Sequence, residues 1–131
     1  MSSSSGGRRS GTRPGSGYVP DRGDVVWLDF DPHAGHEQGG HRPAVVLSSR
    51  DYNTISGLML ACPMTRQGKG YPFEVACEVG GARSYALCDQ VKSVDWRARG
   101  ARFERALPPR EFDEVMARVA SVLGLELGAE P

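Results

Sequence analysis

Two polar loops between apolar segments carry the side chains best suited to chemistry. Residues 33–43 (HAGHEQGGHRP) place Glu37 among glycines and Arg42 directly before a proline, and residues 63–74 (PMTRQGKGYPFE) contain Thr65. A carboxylate can take the proton of a ribose 2′-hydroxyl, and a guanidinium can hold charge that develops on phosphorus. With a hydroxyl and an ammonium beside them, these groups suit phosphodiester cleavage without a metal. Their spacing alone is explained equally well by a Glu–Arg ion pair at the surface.

All three histidines lie in the first loop, so a metal site is a competing interpretation. His33, His36 and His41 are three and five residues apart with glycines between them, whereas zinc-binding helices place two histidines four residues apart. We therefore expect no metal site and no cofactor. The histidines are interpreted as solvated loop residues, with His41 a possible accessory group beside Arg42.

The densest basic segment is residues 96–105 (WRARGARFER). Arginines with interleaved aromatic rings suit single-stranded nucleic acid, because the cations contact phosphates and the rings stack on bases. A solvated edge strand, whose arginines discourage aggregation, explains the segment equally well. Together with the two loops, this segment completes the set of candidate RNA-binding residues: Gln38, His41, Arg66, Gln67, Lys69, Trp96, Arg97 and Arg99.

Charge is segregated along a chain that is formally neutral overall. Residues 1–20 carry +3, residues 21–41 carry −4, residues 42–110 carry +5 and residues 111–131 carry −4. A nucleic-acid site must therefore be a local patch of the middle segment. No apolar run approaches the roughly 18 residues that span a bilayer, so a membrane protein is not expected. The three cysteines form no CxxC pair, which favours buried thiols in a reducing cytoplasm.

The elements that position these loops are predicted to be mainly β, followed by one helix. Proline opens the second strand, which we place at the edge of the sheet, and residues 51–53 are predicted to form a turn. A helix is predicted from the prolines at 108 and 109 to Gly124, because apolar residues recur there at helical spacing. The predicted β segments are residues 25–30, 44–48, 58–63, 73–79, 84–88 and 89–96.

The same pattern divides the chain into one domain and two tails. Residues 1–17 are almost entirely Ser, Gly, Arg, Thr and Pro, a composition that cannot form a core, so we predict a disordered tail. Residues 18–124 form the domain, and residues 125–131 are a short C-terminal tail. The length and the strand count fit a small, partly open barrel closed by a helix.

Four blocks of the sequence resemble the MazF/PemK family of toxin–antitoxin ribonucleases, in the family's order and spacing. They are GDVVWLDFDP (23–32), EQGGHRPAVVLS (37–48), CPMTRQGKGYPFEV (62–75) and DQVKSVDWRARG (89–100). The resemblance implies an SH3-like barrel of the CcdB/PemK type with a C-terminal helix, which forms a homodimer. It also implies metal-independent cleavage of single-stranded messenger RNA at short motifs, leaving a 2′,3′-cyclic phosphate, and inhibition by a cognate MazE-like antitoxin with an acidic, extended segment.

The resemblance also implies roles for three residues. Glu37 matches the family's loop carboxylate and would be the base, while Arg42 and Thr65 would support the transition state. Many relatives have a second hydroxyl after that threonine, where this chain has Arg66. The family itself differs over whether the glutamate, or the arginine with the threonine, dominates catalysis.

Two other functional classes are weighed against the ribonuclease. Gyrase-poisoning relatives of the same architecture act through a tryptophan near the C-terminus, and LELGAEP (125–131) has none. An SH3-like peptide-binding module would need an aromatic groove, for which Trp27 and Tyr52 are too few. The sequence therefore favours the ribonuclease, and it leaves open which RNA motif is cut and which antitoxin binds.

Overall fold

The computed structural model describes residues 17–29 and 41–125, which form seven strands and two helices. The mainly β fold with a C-terminal helix is confirmed. The elements are β1 (Asp24–Asp29), β2 (His41–Val46), α1 (Arg50–Ser56), β3 (Leu58–Thr65), β4 (Glu74–Val79), β5 (Ala82–Leu87), β6 (Lys92–Asp95), β7 (Arg102–Ala106) and α2 (Pro109–Leu123).

The strands form a curled antiparallel sheet in the order β4-β5-β3-β2-β1-β7, and β6 also pairs with β3. Val45 at the centre of the sheet lies opposite Val25 of β1 on one side and Cys62 of β3 on the other. Because β3 pairs with β5 near its end and with β6 near its start, the sheet curls into a half-barrel.

Each face of the central strands contributes to a separate apolar core, since side chains alternate between faces along a strand. One core joins Val45 and Cys62 to the β4–β5 hairpin and to Val115 of α2. The other joins Val26 and Val46 to Val94 of β6 and to Trp96, in the turn that follows β6. Two of the three catalytic candidates, Arg42 and Thr65, lie at one end of these central strands.

Helix α2 follows the prediction closely. Pro109 occupies its first position, and Gly124 ends it with a φ of +77°, a conformation that favours glycine. Val115 and Val119 of the predicted stripe are buried, whereas Val122 and Leu123 are exposed. No helix in the described part of the chain is long and apolar enough to cross a membrane.

The predicted turn at residues 51–53 is wrong, because α1 forms there. The Ser49 side chain accepts a hydrogen bond from the Tyr52 N–H, and Gly57 ends the helix with a φ of +75°. Asn53 is fully buried. Capping and a buried amide therefore hold a seven-residue helix that apolar periodicity does not reveal.

The edge position predicted for the second strand is also wrong. Strand β2 lies between β1 and β3, and Pro43 is opposite Trp27. The pairing of β2 with β3 begins only at Ala44, so the missing N–H of Pro43 lies beyond the end of that ladder. The edge-strand alternative for the basic segment is correct for residues 102–106, because β7 ends the strand order.

The predicted domain boundaries remain predictions. Residues 1–16 and 126–131 lie outside the described residues. The three cysteines are buried free thiols, as the sequence indicated.

Candidate functional site

Arg42 and Thr65 lie at the same end of the β2–β3 ladder. Ala44 and Pro63 are the last pair of that ladder, and Arg42 and Thr65 each lie two residues beyond it. Both are an even number of positions from that pair, so their side chains leave the sheet on the same face. Arg42 is exposed and Thr65 is half-buried. A guanidinium and a hydroxyl that are 23 positions apart in the sequence therefore lie at one end of the sheet.

Glu37 and Gln38 lie outside the described residues, yet the ends of their loop are defined. Asp29 at the end of β1 pairs with His41 at the start of β2. The loop therefore leaves and rejoins the sheet directly beside Arg42. The placement of Glu37 next to Arg42 and Thr65 stays a prediction.

A small, partly open pocket adjoins Thr65, with a cavity volume of about 40 Å³. Its walls combine an aromatic ring and apolar side chains with a few polar groups. It is lined by Trp27, Pro43, Met64, Thr65, Arg66, Val79 and Ser84. Because Trp27 and Pro43 alternate with Leu28 and Arg42 along their strands, this pocket lies on the face of the sheet opposite to the Arg42 side chain.

Trp27 fixes the orientation of His41 at the start of β2. The Trp27 Nε1–H donates to Glu104 Oε1 at 3.0 Å. The imidazole of His41 stacks on the indole, with ring centroids 5.6 Å apart and an interplanar angle of 12°. The exposed His41 therefore has a defined position on the Trp27 face of β2, opposite to the face from which Arg42 projects.

The Thr65 hydroxyl also makes a local hydrogen bond, in which it accepts and does not donate. Its Oγ1 accepts from the Gln67 N–H at 3.1 Å. The hydroxyl proton has no acceptor among the described residues and can donate to a phosphate oxygen.

The predicted RNA-binding residues of the β3–β4 loop are all at the surface. Arg66, Gln67 and Lys69 are exposed. The ion pairs of the described chain join Arg50 to Asp21 and Arg118 to Glu114. Within residues 17–29 and 41–125, Arg66 and Lys69 therefore have no carboxylate partner, and their charge is available to an anionic ligand.

The base-stacking role predicted for Trp96 is corrected by its burial. Trp96 is only 5% exposed and belongs to the second core. Its Nε1–H donates to the Asn53 carbonyl at 3.0 Å, and the Arg97 guanidinium lies 4.5 Å from its ring centroid. With its N–H used and one face covered, this ring is not presented to a base.

Arg97 and Arg99 differ in how strongly they are held. Arg97 is exposed, whereas Arg99 is half-buried and its Nη1 donates to the Asp29 carbonyl at 3.1 Å. Arg99 thus braces the strand end from which the Glu37 loop departs. Their predicted RNA contacts stay predictions.

The sequence interpretation missed Trp27 and Glu104 as parts of the site. Trp27 has the same strand parity as Val25, so its position in VVWLDF indicated a core residue. Glu104 is 77 positions away and meets the indole only because β1 and β7 pair. No local pattern could have joined the two.

The thiols nearest the site are structural. Burial raises the pKa of Cys77 to about 12, and the nearby Glu111 carboxylate adds to the shift. The hydrogen bond with Cys88, followed by burial, raises the pKa of the Cys62 thiol far above its usual range. Neither group is a thiolate near neutral pH, so neither is a candidate nucleophile. No group of three or more His, Cys, Asp or Glu in the described part of the chain is placed to hold a metal ion.

Comparison with known proteins assigns the arrangement to a family. Residues 21–123 match the family model described as the PemK-like, MazF-like toxin of type II toxin–antitoxin systems. The endoribonuclease toxin MazF of Escherichia coli K12 is 50% identical over 109 residues, which cover 83% of this chain and 98% of that protein. The endoribonuclease toxin ChpB of the same strain is 35% identical, covering 79% and 93%.

Solved structures agree with the sequence comparison. The crystal structure of MazF from Deinococcus radiodurans has a TM-score of 0.73 at 50% identity, covering 82% of this chain and 99% of that one. A MazE–MazF crystal structure from the same organism has a TM-score of 0.75 at 46% identity, covering 83% and 100%. Sequence, fold and coverage agree over nearly the whole described domain, and the chain belongs to the PemK/MazF-like toxins of type II toxin–antitoxin systems.

Proposed function

We propose that this chain is an endoribonuclease toxin that cleaves single-stranded messenger RNA at a short sequence motif. The observation that carries the proposal is the placement of Arg42 and Thr65 at the same end of the β2–β3 ladder, beside the ends of the loop that contains Glu37. The 50% identity to an endoribonuclease toxin over almost its full length supports the same activity. The exposed cations of the β3–β4 loop supply attraction for the phosphate backbone.

The proposed reaction is a transesterification within the RNA. Glu37 takes the proton of the 2′-hydroxyl, the 2′-oxygen forms a bond to the adjacent phosphorus, and the bond to the 5′-oxygen breaks. That oxygen takes a proton from solvent as it leaves and Glu37 returns its own proton to solvent, so the products are a 2′,3′-cyclic phosphate and a 5′-hydroxyl. Arg42 and the Thr65 hydroxyl bind the non-bridging oxygens, whose charge grows in the transition state. No metal takes part in this scheme.

The proposed partners follow from the family and from the charge of the site. A cognate MazE-like antitoxin would place an acidic segment on the same cationic surface, so inhibition would be competition with RNA. Relatives crystallised as MazE–MazF complexes support this partner. We further propose a homodimer that acts in the cytoplasm, where messenger RNA is found.

The first test separates chemistry from binding. Glu37→Gln keeps the size of the side chain but removes the base, so the single-turnover rate should fall about 10²–10⁴-fold without weaker RNA binding. Arg42→Ala should lower the rate and also weaken binding, because the guanidinium contacts the phosphate in both states. Single-turnover cleavage and filter binding measure both quantities.

Two further arms complete this experiment. An RNA with a 2′-deoxyribose at the mapped cut site lacks the nucleophile and should remain intact, and cleavage of ordinary RNA should persist in excess EDTA. Normal cleavage of the deoxy substrate would refute the transesterification. Loss of activity in EDTA that Mg²⁺ or Zn²⁺ restores would refute metal independence. Near wild-type activity of Glu37→Gln would make Glu37 a surface ion-pair residue and His41 the next candidate base.

A further inference from the structure

The β3–β4 loop, residues 66–70, is fixed at its far end by the carboxylate of Glu74. Glu74 Oε1 accepts from the Lys69 N–H at 3.0 Å and from the Gly70 N–H at 3.1 Å, and Oε2 accepts from the Lys69 N–H at 3.1 Å. Gly70 has a φ of +78°, a conformation that glycine adopts readily. Two consecutive backbone N–H groups thus converge on one anion, the geometry of a backbone nest.

Glu74 is well placed to hold the loop because it belongs to the sheet. It is the first residue of β4, lies opposite Leu87 of β5 and is half-buried. Its carboxylate bonds the backbone of Lys69 rather than the ammonium. The loop is therefore fastened without neutralising the charge that Lys69 presents to solvent.

The middle of the loop packs against an aromatic ring. A Cβ built on Gly68 would lie 2.8–2.9 Å from three ring carbons of Tyr85, closer than real contacts allow. Tyr85 is the residue opposite Thr65 in the β3–β5 ladder. The Gly68 backbone therefore packs directly on a ring that is itself fixed beside Thr65.

The start of the loop is held by Thr65, whose Oγ1 accepts from the Gln67 N–H at 3.1 Å. The short segment is thus held at three points: the Thr65 hydroxyl, the Tyr85 ring and the Glu74 carboxylate. Arg66, Gln67 and Lys69 project from this braced backbone and are exposed. A flexible loop would lose conformational entropy when these side chains engage a ligand, whereas a braced loop has already lost it.

We infer that Glu74 is a positioning residue that preorganises the β3–β4 loop for binding the RNA backbone next to Thr65. It touches neither the RNA nor the reacting atoms, and it acts through the backbone of Lys69 and Gly70. The inference rests on the proposed ribonuclease function, because it assigns RNA as the ligand of the loop. It predicts that the affinity for RNA depends on the acceptor oxygens of residue 74 and does not depend on its negative charge.

The test compares Glu74→Ala, which removes the acceptor, with Glu74→Gln, which keeps an acceptor oxygen without the charge. The probe is a fluorescent single-stranded RNA with a 2′-deoxyribose at the mapped cut site, and single-turnover cleavage of the matching all-ribose RNA is measured in parallel. Glu74→Ala should raise the Kd about tenfold. The cleavage rate at saturating RNA should fall less than about threefold, because Glu74 takes no part in the chemical step. Glu74→Gln should bind within about twofold of wild type.

The matched control is Glu78→Ala, on the same strand and the same face. The Glu78 side chain is exposed and has no hydrogen bond or ion pair within the described residues, since only its backbone carbonyl accepts from Arg105. Loss of a negative charge alone should leave RNA binding unchanged or slightly tighter. Weaker binding in Glu74→Ala would therefore have the opposite sign to a simple charge effect. Amide hydrogen exchange at Lys69 and Gly70 reports directly on the clamp and should accelerate in Glu74→Ala only.

Two results would overturn the inference. One is a Glu74→Ala protein that binds RNA like Glu78→Ala while its Lys69 and Gly70 amides exchange faster. The other is Glu74→Gln binding as poorly as Glu74→Ala, which would assign the effect to charge. If Glu74→Ala does not fold, Gly68→Ala decides, because it displaces the loop from Tyr85 without altering Glu74. It should raise the Kd by a similar factor, and wild-type binding would refute the inference.

The controls also separate this inference from the proposed function. Failure of the wild-type protein to bind or cleave RNA would refute the ribonuclease. Wild-type cleavage combined with either of the two overturning results would refute only the positioning role of Glu74.

Discussion

Thr65 can both accept and donate a hydrogen bond, and among the described residues the fold uses only the accepting capacity. Its Oγ1 accepts from the Gln67 N–H, so the hydroxyl proton is left for the RNA. Thr65→Val keeps the branched shape and removes the donor, and we expect the single-turnover rate to fall about 10²–10³-fold. Thr65→Ser keeps the hydroxyl and should lose far less. Equal rates in the valine and serine variants would show that the hydroxyl does not stabilise the transition state.

Cys77 makes the free energy of unfolding depend on pH in the alkaline range, and its raised pKa decides the direction of that dependence. Its pKa is about 12 in the folded chain against an ordinary value of 9.0 for a cysteine thiol, so above pH 9 the unfolded chain has lost a proton that the folded chain keeps. The free energy of unfolding should therefore fall as pH rises from about 9 to 12, by up to about 1.4 kcal/mol per pH unit from this group. Below pH 9 this contribution is fully present.

Urea unfolding at several pH values checks this prediction, with Cys77→Ala as the comparison. The variant loses packing at every pH, which shifts its curve by a constant amount, and its slope above pH 9 should be shallower. Parallel curves for wild type and Cys77→Ala would mean that Cys77 titrates equally in both states.

At the scale of elements, α1 is held to the barrel by one buried amide. Asn53 Nδ2 donates to the Pro20 carbonyl at 2.7 Å and to the Ser48 carbonyl at 3.2 Å, and Oδ1 accepts from Ser48 Oγ at 2.6 Å. The Asn53 carbonyl also accepts from the indole of Trp96. A seven-residue helix has little stability of its own, so these bonds decide whether it forms.

Asn53→Ala should lower the free energy of unfolding by about 2–4 kcal/mol, because it leaves buried partners unsatisfied. Thr54→Ala, at an exposed position of the same helix, should change it by less than about 0.5 kcal/mol. Denaturant titrations of both variants measure the difference. A loss below about 1 kcal/mol for Asn53→Ala would show that α1 is held by other contacts.

At the scale of the whole molecule, the segregated charge has a structural counterpart. The acidic segment that follows residue 110 is mostly α2, which packs over the first core. The basic middle segment includes Arg42, Arg66 and Lys69 at one end of the central strands. The exposed cations at this end can therefore attract RNA, or an acidic antitoxin segment, although the chain as a whole is neutral.

The assembly expected for this family can be measured directly. Light scattering at micromolar concentration should give a mass of about 28 kDa, twice the 14.1 kDa of one chain, because symmetric dimers are the commonest closed assembly. A mass near 14 kDa across the accessible concentration range would refute the homodimer. Repeating the measurement with the Arg42→Ala variant separates assembly from RNA binding.

The sequence alone determined the features that depend on near neighbours. Helix α2 from Pro109 to Gly124 was predictable because its apolar spacing, its proline start and its glycine end are all local signals. Most strands were predictable for the same reason. Four blocks in family order identified Glu37, Arg42 and Thr65 as candidates, because residue type and spacing carry that information without a structure.

Only the tertiary structure decided which distant residues meet and which are covered. The central strand β2 tolerates Pro43 because the β2–β3 ladder begins one residue later. Trp96 is a core residue because the turn after β6 folds over the second core. The indole of Trp27 donates to Glu104 because β1 and β7 pair. Register and burial are set by packing between segments far apart in the chain, and local periodicity carries no record of that packing.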